Sequence, residues 1–309
     1  MEIRNIRGEI IFTGEKDDLR SADLRNAQLS GANLSGTDLS GADLRYAALR
    51  CAALAGADLA KADLRGANLA GANLSCADLR NARLSGTNLS AADLTSANLS
   101  AADLAGADLR DARLGLAELH NADLRAAKLA GADLGGAVLR TADLRGAGLY
   151  RANLGGADLA EADLAETDLV EADLRNTVLR NANLSSAKPR YANLRWADLR
   201  GANLSAADLR YTDLSAADLR AAKLAGADLR EANIARARLT TSICRLDFGG
   251  WSVCVRDDRT SIDCETHENA QWLAWGPGSP EIAEMHPGAP AWWKQYGPAV
   301  KAVIAAVQG

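Results

Sequence analysis

Large rings are scarce in this chain. Trp, Tyr and Phe together make up 4% of its 309 residues, so the 48% that is apolar is supplied mostly by small and aliphatic side chains. An ordinary core of interlocking aromatics is therefore excluded for most of the length. No stretch of about 18 consecutive apolar residues occurs, so no transmembrane helix is expected. Only three histidines are present, His120, His267 and His286, which leaves little for general acid–base chemistry. The glycines follow no strand-to-helix transition, so no phosphate-cradling loop is expected either. Enzymatic activity and a bound cofactor are accordingly not expected. The five cysteines are an odd number and fit a reducing compartment better than a disulfide framework. The first fourteen residues carry Glu2, Arg4, Arg7 and Glu9 and lack a signal-like apolar stretch, so the expected location is cytoplasmic.

What is present in excess is leucine at a fixed spacing. Every fifth residue from Leu19 to Leu239 is leucine except Pro189 and Ile234, which makes forty-five consecutive units without an insertion. Two residues before each stands Ala or Thr, except Asp17 in the first unit. A short exact period marks a solenoid, in which each turn contacts only its neighbours. Five matches neither the two-residue repeat of a strand nor the 3.6-residue repeat of a helix. The pattern therefore calls for short extended pieces joined by regular corners, with every leucine on one axis and Ala or Thr beside it. Asp or Asn before the leucine and Arg or Ser after it should face water. Gly, Asn, Ser and Ala fall at the corner, where Gly and Asn tolerate turn geometry. Cys51 and Cys76 fall there too and read as unpaired.

This Ala-(Asp/Asn)-Leu-X-X array, as in Ala32-Asn33-Leu34-Ser35-Gly36, resembles the pentapeptide-repeat proteins over about three quarters of the chain. The resemblance implies an all-β solenoid: a right-handed quadrilateral β-helix with four units to a square coil. That gives about eleven coils and, at roughly 4.8 Å per strand, a rod on the order of 53 Å long.

An open β-helix exposes backbone and core at both ends, so both need covers. Residues 1–16, with Ile3, Ile6, Ile10, Ile11 and Phe12, read as an extended N-terminal cap. Residues 17–244 are the repeat domain. Beyond them lie five of the six tryptophans and five of the six prolines. Residues 245–309 therefore read as a small α+β C-terminal cap. Within it Trp251–Val255 is strand-like, Asp257–Thr260 turns the chain into Ser261-Ile262, and His267–Trp275 suits a short helix. Pro280–Ile282 opens another helical turn. A final helix over about Ala289–Val307 carries Trp292, Tyr296, Val300, Val303, Ile304 and Val307 as a one-sided stripe. With Trp293 these residues are candidates for a capping or homodimer helix. The tail also resembles the C-terminal segments of phage and prophage pentapeptide-repeat proteins, through Ile262-Asp263-Cys264, His267, Trp272, Ile282-Ala283-Glu284-Met285 and Ala291-Trp292-Trp293.

Several clusters are candidate sites. Cys254, Cys264, His267 and His286 form a Cys/His set, but only Cys264 and His267 have zinc-like spacing, so no metal is expected. If four units make a coil, residues twenty apart stack. Tyr191 then meets Tyr211, Trp196 stands at the neighbouring corner, and Arg190, Arg195 and Arg210 surround them. Exposed Tyr, Trp and Arg together suit an interface hot spot, or else an aromatic ladder capped by arginine stems. Pro189 lies in the same region, removes a ladder donor and should distort its coil. Asp158, Glu161, Asp163, Glu166, Asp168, Glu171 and Asp173 make one acidic belt, which Arg175, Arg180, Lys188 and Arg190 of the next coil can screen.

Charge decides among functions. Residues 17–241 hold 29 acids and 27 bases, and thirteen units read Asp-Leu-Arg. The resembled family includes proteins that protect DNA gyrase from quinolones as acidic mimics of duplex DNA. Here local cancellation removes the strong negative field that such mimicry needs. The leading expectation is a non-catalytic scaffold for an unidentified protein partner. The alternatives are a gyrase modulator and ligand or partner binding by the Trp-rich tail. Direct nucleic-acid binding is not expected, because no basic stripe emerges. The oligomeric state stays open between a monomer and a C-terminally paired homodimer.

Overall fold

In the computed structural model, residues 2–4, 9–13, 19–239, 242–248, 251–256, 259–262, 265–276, 278–285 and 288–308 are described. The chain opens with β1 (Glu2–Arg4) and β2 (Ile10–Thr13), an antiparallel pair. From Leu19 to Leu239 it then winds as a solenoid whose period is twenty residues. Parallel bridges join Asp23 to Asp43, Asp43 to Asp63, and so on down all four columns. The last coil pairs as two short strands, β3 (Asp218–Leu219) and β4 (Arg238–Leu239). Four units therefore close one coil, as the resemblance implies.

Three kinds of backbone bond build each unit, as at Leu124. Its N–H donates to Asp143 O at 2.7 Å, the corner Ala126 N–H donates to Arg145 O at 3.0 Å, and Ala127 N–H turns back to Leu124 O at 3.0 Å. With polar backbone satisfied along the axis, the interior is left to the leucines of the five-residue series, which from Leu19 to Leu229 are at most 5% exposed. Full burial of each is worth roughly 1.5–3 kcal/mol relative to exposure.

The corners have the turn geometry that glycine and asparagine tolerate, but they are not reserved for those residues. Every corner from Ser21 to Arg236 has positive φ, and thirty of these residues are not glycine, among them Tyr46, Leu116, Thr141 and Trp196. A non-glycine residue there costs about 1–3 kcal/mol, and the rungs and leucine core of the stack outweigh it. Space explains some of the glycines better. A corner side chain leans over the corner of the next coil, so a Cβ at Gly66 would meet the Tyr46 ring at 2.6 Å, and one at Gly136 would meet Leu116 at 2.9 Å.

Pro189 takes a leucine place and is buried like the leucines. The coil does not buckle. Among the described residues of the solenoid only the bridge from Lys188 to Asp208 is missing, and the stack continues on either side.

After β4 the chain forms a four-stranded antiparallel sheet in sequence order: β5 (Ser242–Phe248), β6 (Trp251–Arg256), β7 (Arg259–Ile262) and β8 (Glu265–Glu268). Three helices follow, α1 (Asn269–Ala274), α2 (Pro280–Met285) and α3 (Ala289–Gln308). Three expectations need correction. The boundary at residue 244 falls inside β5, and His267 lies in β8 instead of a helix. Thr260 pairs with His267 across the sheet, and the Glu268 N–H donates to the Gln271 side chain at 3.1 Å, so α1 starts only at Asn269. Of the turn expected over Asp257–Thr260, Arg259 and Thr260 belong instead to β7, and Asp257-Asp258 lie outside the described residues. Trp272, Trp293, Val300, Val303 and Ile304 are buried in this region, and α3 packs on β6 and β4. Among the described residues no helix is long and apolar enough to cross a membrane.

Candidate interaction face

Because the period holds without interruption, each solvent-facing residue belongs to a column that runs the length of the solenoid. One side of the square follows the bridged column Arg113, Asp133, Asn153, Asp173, Asn193 and Asp213. The two corners bounding it carry four of the seven exposed large apolar residues found among the described residues: Tyr191 (52% exposed) and Tyr211 (47%) on one, and Leu116 (66%) and Trp196 (52%) on the other. A fifth, Tyr150 (36%), directly precedes Arg151 of the first corner column. An aqueous surface has no reason to gather such residues on one side of four.

The expected aromatic cluster is brought together in part. The Tyr191 and Tyr211 rings stack in parallel with centroids 4.8 Å apart, the distance set by the strand spacing. The Arg190 guanidinium lies 5.5 Å over the Tyr191 ring, and that of Arg195 lies 4.5 Å over Trp196. Arg210 does not cap Tyr211. It chelates Asp208, with Nε and Nη2 donating at 2.7 and 2.6 Å, because two charge-assisted bonds outweigh one cation–π contact.

The sequence reading missed Leu116 and Tyr150, together with a glycine column. Gly115, Gly135 and Gly155 fall directly after a core leucine, a place where no other unit carries glycine, and they stack on three successive coils. With corner Gly136 and Gly156 they leave a stretch of bare backbone beyond Leu116. Numbering the units by twenties would have exposed all of this.

Elsewhere the surface is neutralised in place. With leucine pointing inward, the residues before and after it emerge side by side. All twelve Asp-Leu-Arg units within the described residues form an ion pair between their own Asp and Arg. In one, Arg125 Nε and Nη2 donate to Asp123 at 2.8 and 2.5 Å, and Nε also approaches Asp143 of the next coil at 3.7 Å. The acidic belt is screened differently from the expectation. Arg140, Arg145 and Arg151 of the preceding coil reach Asp158, Asp163 and Glu171 at 3.5, 3.7 and 2.7 Å, and Arg175 pairs with its own Asp173.

These contacts hold carboxyls in their charged form. The Arg25 guanidinium lowers Asp23 to about 2, and the Ser40 hydroxyl, followed by Arg20, lowers Asp38 to about 2. A carboxyl depressed in the folded state contributes stability that is complete above its unfolded value, near 4, and is lost as the pH falls through the folded value. The melting temperature should therefore be level from about pH 7 to 5 and fall from about pH 4 towards 2. A melting temperature unchanged at about pH 2.5 would show that the chelates contribute nothing.

The remaining candidates separate. Trp292, Trp293, Tyr296, Val300, Val303 and Ile304 are all buried within the chain itself. His267 packs edge-on against Trp275 at 4.8 Å and Trp272 at 5.3 Å, with Glu265 at 3.4 Å. Cys264 and His286 of the Cys/His set lie outside the described residues, as does the side chain of Cys254. Cys51 and Cys76 are free and exposed at their corners.

Comparison with known proteins follows the geometry. Eight copies of the family described as Pentapeptide repeats match between residues 18 and 242. The structure of HetL, a pentapeptide repeat protein involved in heterocyst differentiation regulation from the cyanobacterium Nostoc sp. strain PCC 7120, is 34% identical. It covers 67% of this chain and 84% of its own, with a TM-score of 0.46. Trypsin-treated QnrB1, a plasmid-mediated fluoroquinolone resistance protein, is 21% identical over 56% of this chain and 89% of its own, with a TM-score of 0.30. A pentapeptide repeat protein from the Arabidopsis thaliana thylakoid lumen is 32% identical over 28% of this chain and 65% of its own, with a TM-score of 0.19. Among curated proteins none matches.

Proposed function

Since the chain belongs to the pentapeptide-repeat family and folds as a right-handed β-helical solenoid, we propose that it is a non-catalytic scaffold that receives a protein partner along one side of its rod. The observation that carries this reading is the gathering of Leu116, Tyr191, Trp196 and Tyr211 on the two corners of a single side, with Tyr150 directly before one of them. Exposed apolar residues grouped in this way mark interaction surfaces, and aromatic residues with arginine are the usual anchors of such surfaces. A stacked β-helix holds them at fixed spacing, so little conformational entropy is lost when a partner binds.

On this reading the rod has about eleven coils, residues 1–16 cover its first coil, and the sheet and helices from β5 onward cover its last. Packing of α3 on β4 and the hydrogen bond between Arg230 and Tyr296 support the C-terminal cover. Burial of the α3 stripe within the chain favours capping over pairing with a second copy.

Photo-crosslinking tests the docking side. A benzophenone amino acid at position 196 or 116 should capture a protein in cells, whereas one at position 101 or 106, on the corners of the opposite side, should not. Equal capture from all four positions would remove the assignment. A gyrase supercoiling assay separates the DNA-mimic alternative. With chelated charges the titrated protein should leave supercoiling unchanged with or without a quinolone. Inhibition or protection at low micromolar protein would move the function to that alternative.

A further inference from the structure

The missing rung at Pro189 coincides with other features of the same coil boundary. Proline has no N–H, so the Asp208 carbonyl loses the donor that every other core position in its column supplies, and the Lys188–Asp208 bridge is absent. Neighbouring rungs are long as well. Tyr191 N–H reaches Arg210 O at 3.2 Å and Trp196 N–H reaches Ser215 O at 3.2 Å. One coil earlier, the equivalent bonds from Glu171 and Asn176 are both 3.0 Å. The Arg190 Nε is enclosed without a hydrogen-bond partner.

Side chains also tie together the two coils across this boundary. The Tyr191–Tyr211 pair, the one stacked aromatic pair among the described residues of the rod, spans this boundary. Thr212 Oγ1 donates across it to the Pro189 carbonyl at 2.8 Å, and Arg190 Nε stands 3.7 Å from Asp208.

We infer that the boundary between the Pro189 coil and the Asp208 coil is a joint, at which the rod parts into two rigid stacks, with the tyrosine pair as its latch. In a one-dimensional stack each boundary contributes its own coupling, so removing one rung lowers the free energy of opening at that boundary and leaves the others as they were. The joint stands on backbone geometry and does not depend on what docks to the rod.

Hydrogen exchange of the full chain, resolved to single residues by mass-spectrometric fragmentation, tests it. The amides of Tyr191, Leu194 and Trp196 donate across the joint. They should exchange about tenfold faster than those of Glu171, Leu174 and Asn176 one coil earlier, and also faster than Tyr211 and Leu214 one coil later. Simple fraying from the rod's end gives the opposite order for the later pair. Pro189→Leu, which places at this position the residue used by nearly every other unit, should restore the protection. Tyr211→Ala should speed exchange across the joint further. Protection that declines smoothly towards the end of the rod, or exchange unaltered by Pro189→Leu, would overturn the joint.

Discussion

Leu124→Asp should abolish the main cooperative unfolding transition of the rod. Leu124 is fully buried, and no donor is left over to receive a carboxylate, because the nearby amides of Leu124 and Ala127 already bond to Asp143 O and Leu124 O. The acid must either stay charged without a partner or bind a proton and remain unsatisfied. Loss of the leucine alone costs about 2–5 kcal/mol, and the polar burden lifts the sum beyond about 5 kcal/mol, the extreme of single-substitution effects. Because each coil couples only to its neighbours, the damage in mid-stack also separates the coils on either side. Far-UV circular dichroism should show lower, broadened melting in place of the parent transition. A variant that melts like the parent would place the leucines on the outside.

Trp272→Ala should destabilise the C-terminal segment by about 3–5 kcal/mol while the rod keeps its own transition. The Trp272 ring is fully buried and lies 5.0 Å from Trp275 and 5.4 Å from Trp293, and its Nε1 donates to Thr260 O at 2.8 Å. Truncation opens a cavity and removes one hydrogen bond to that carbonyl. Five of the six tryptophans lie in this segment, so fluorescence follows it and circular dichroism follows the rod. Equal shifts in both signals would mean that rod and tail unfold as one unit and that no domain boundary lies between them.

The solenoid was legible because its period has no interruption: a residue's number alone gives its column, which placed Tyr191 on Tyr211 before any coordinates. The same arithmetic reaches Leu116 at a corner and Tyr150 just before one, but only if carried to turns where a single apolar residue looks accidental. Other features depend on competition that no pattern displays. Arg210 stands between a carboxylate two residues before it and a ring one residue after it, and only geometry shows that the chelate wins. Pro189 suggested a distorted coil, yet its ring occupies a leucine place and the loss is confined to one rung and its neighbours. In the tail, β5 was missed because a bulge between Ile243 and Leu246 breaks the two-residue alternation that marks a strand. The helix assigned from His267 yielded to strand pairing, since cross-strand bonds with β7 claim Glu265–Glu268 first.

The twenty-residue coil restricts how such a chain can change its length. Deleting one five-residue unit leaves a perfect leucine series, yet every later residue moves a quarter turn against those before it. Trp196 would then sit on the corner now held by Tyr191, and the glycine column would face a different side from the aromatic one. Deleting or duplicating twenty residues shortens or extends the rod with all four sides in register. The core accepts steps of five and the surface accepts only steps of twenty, so gain and loss of whole coils is the route by which length can vary while a working side is kept.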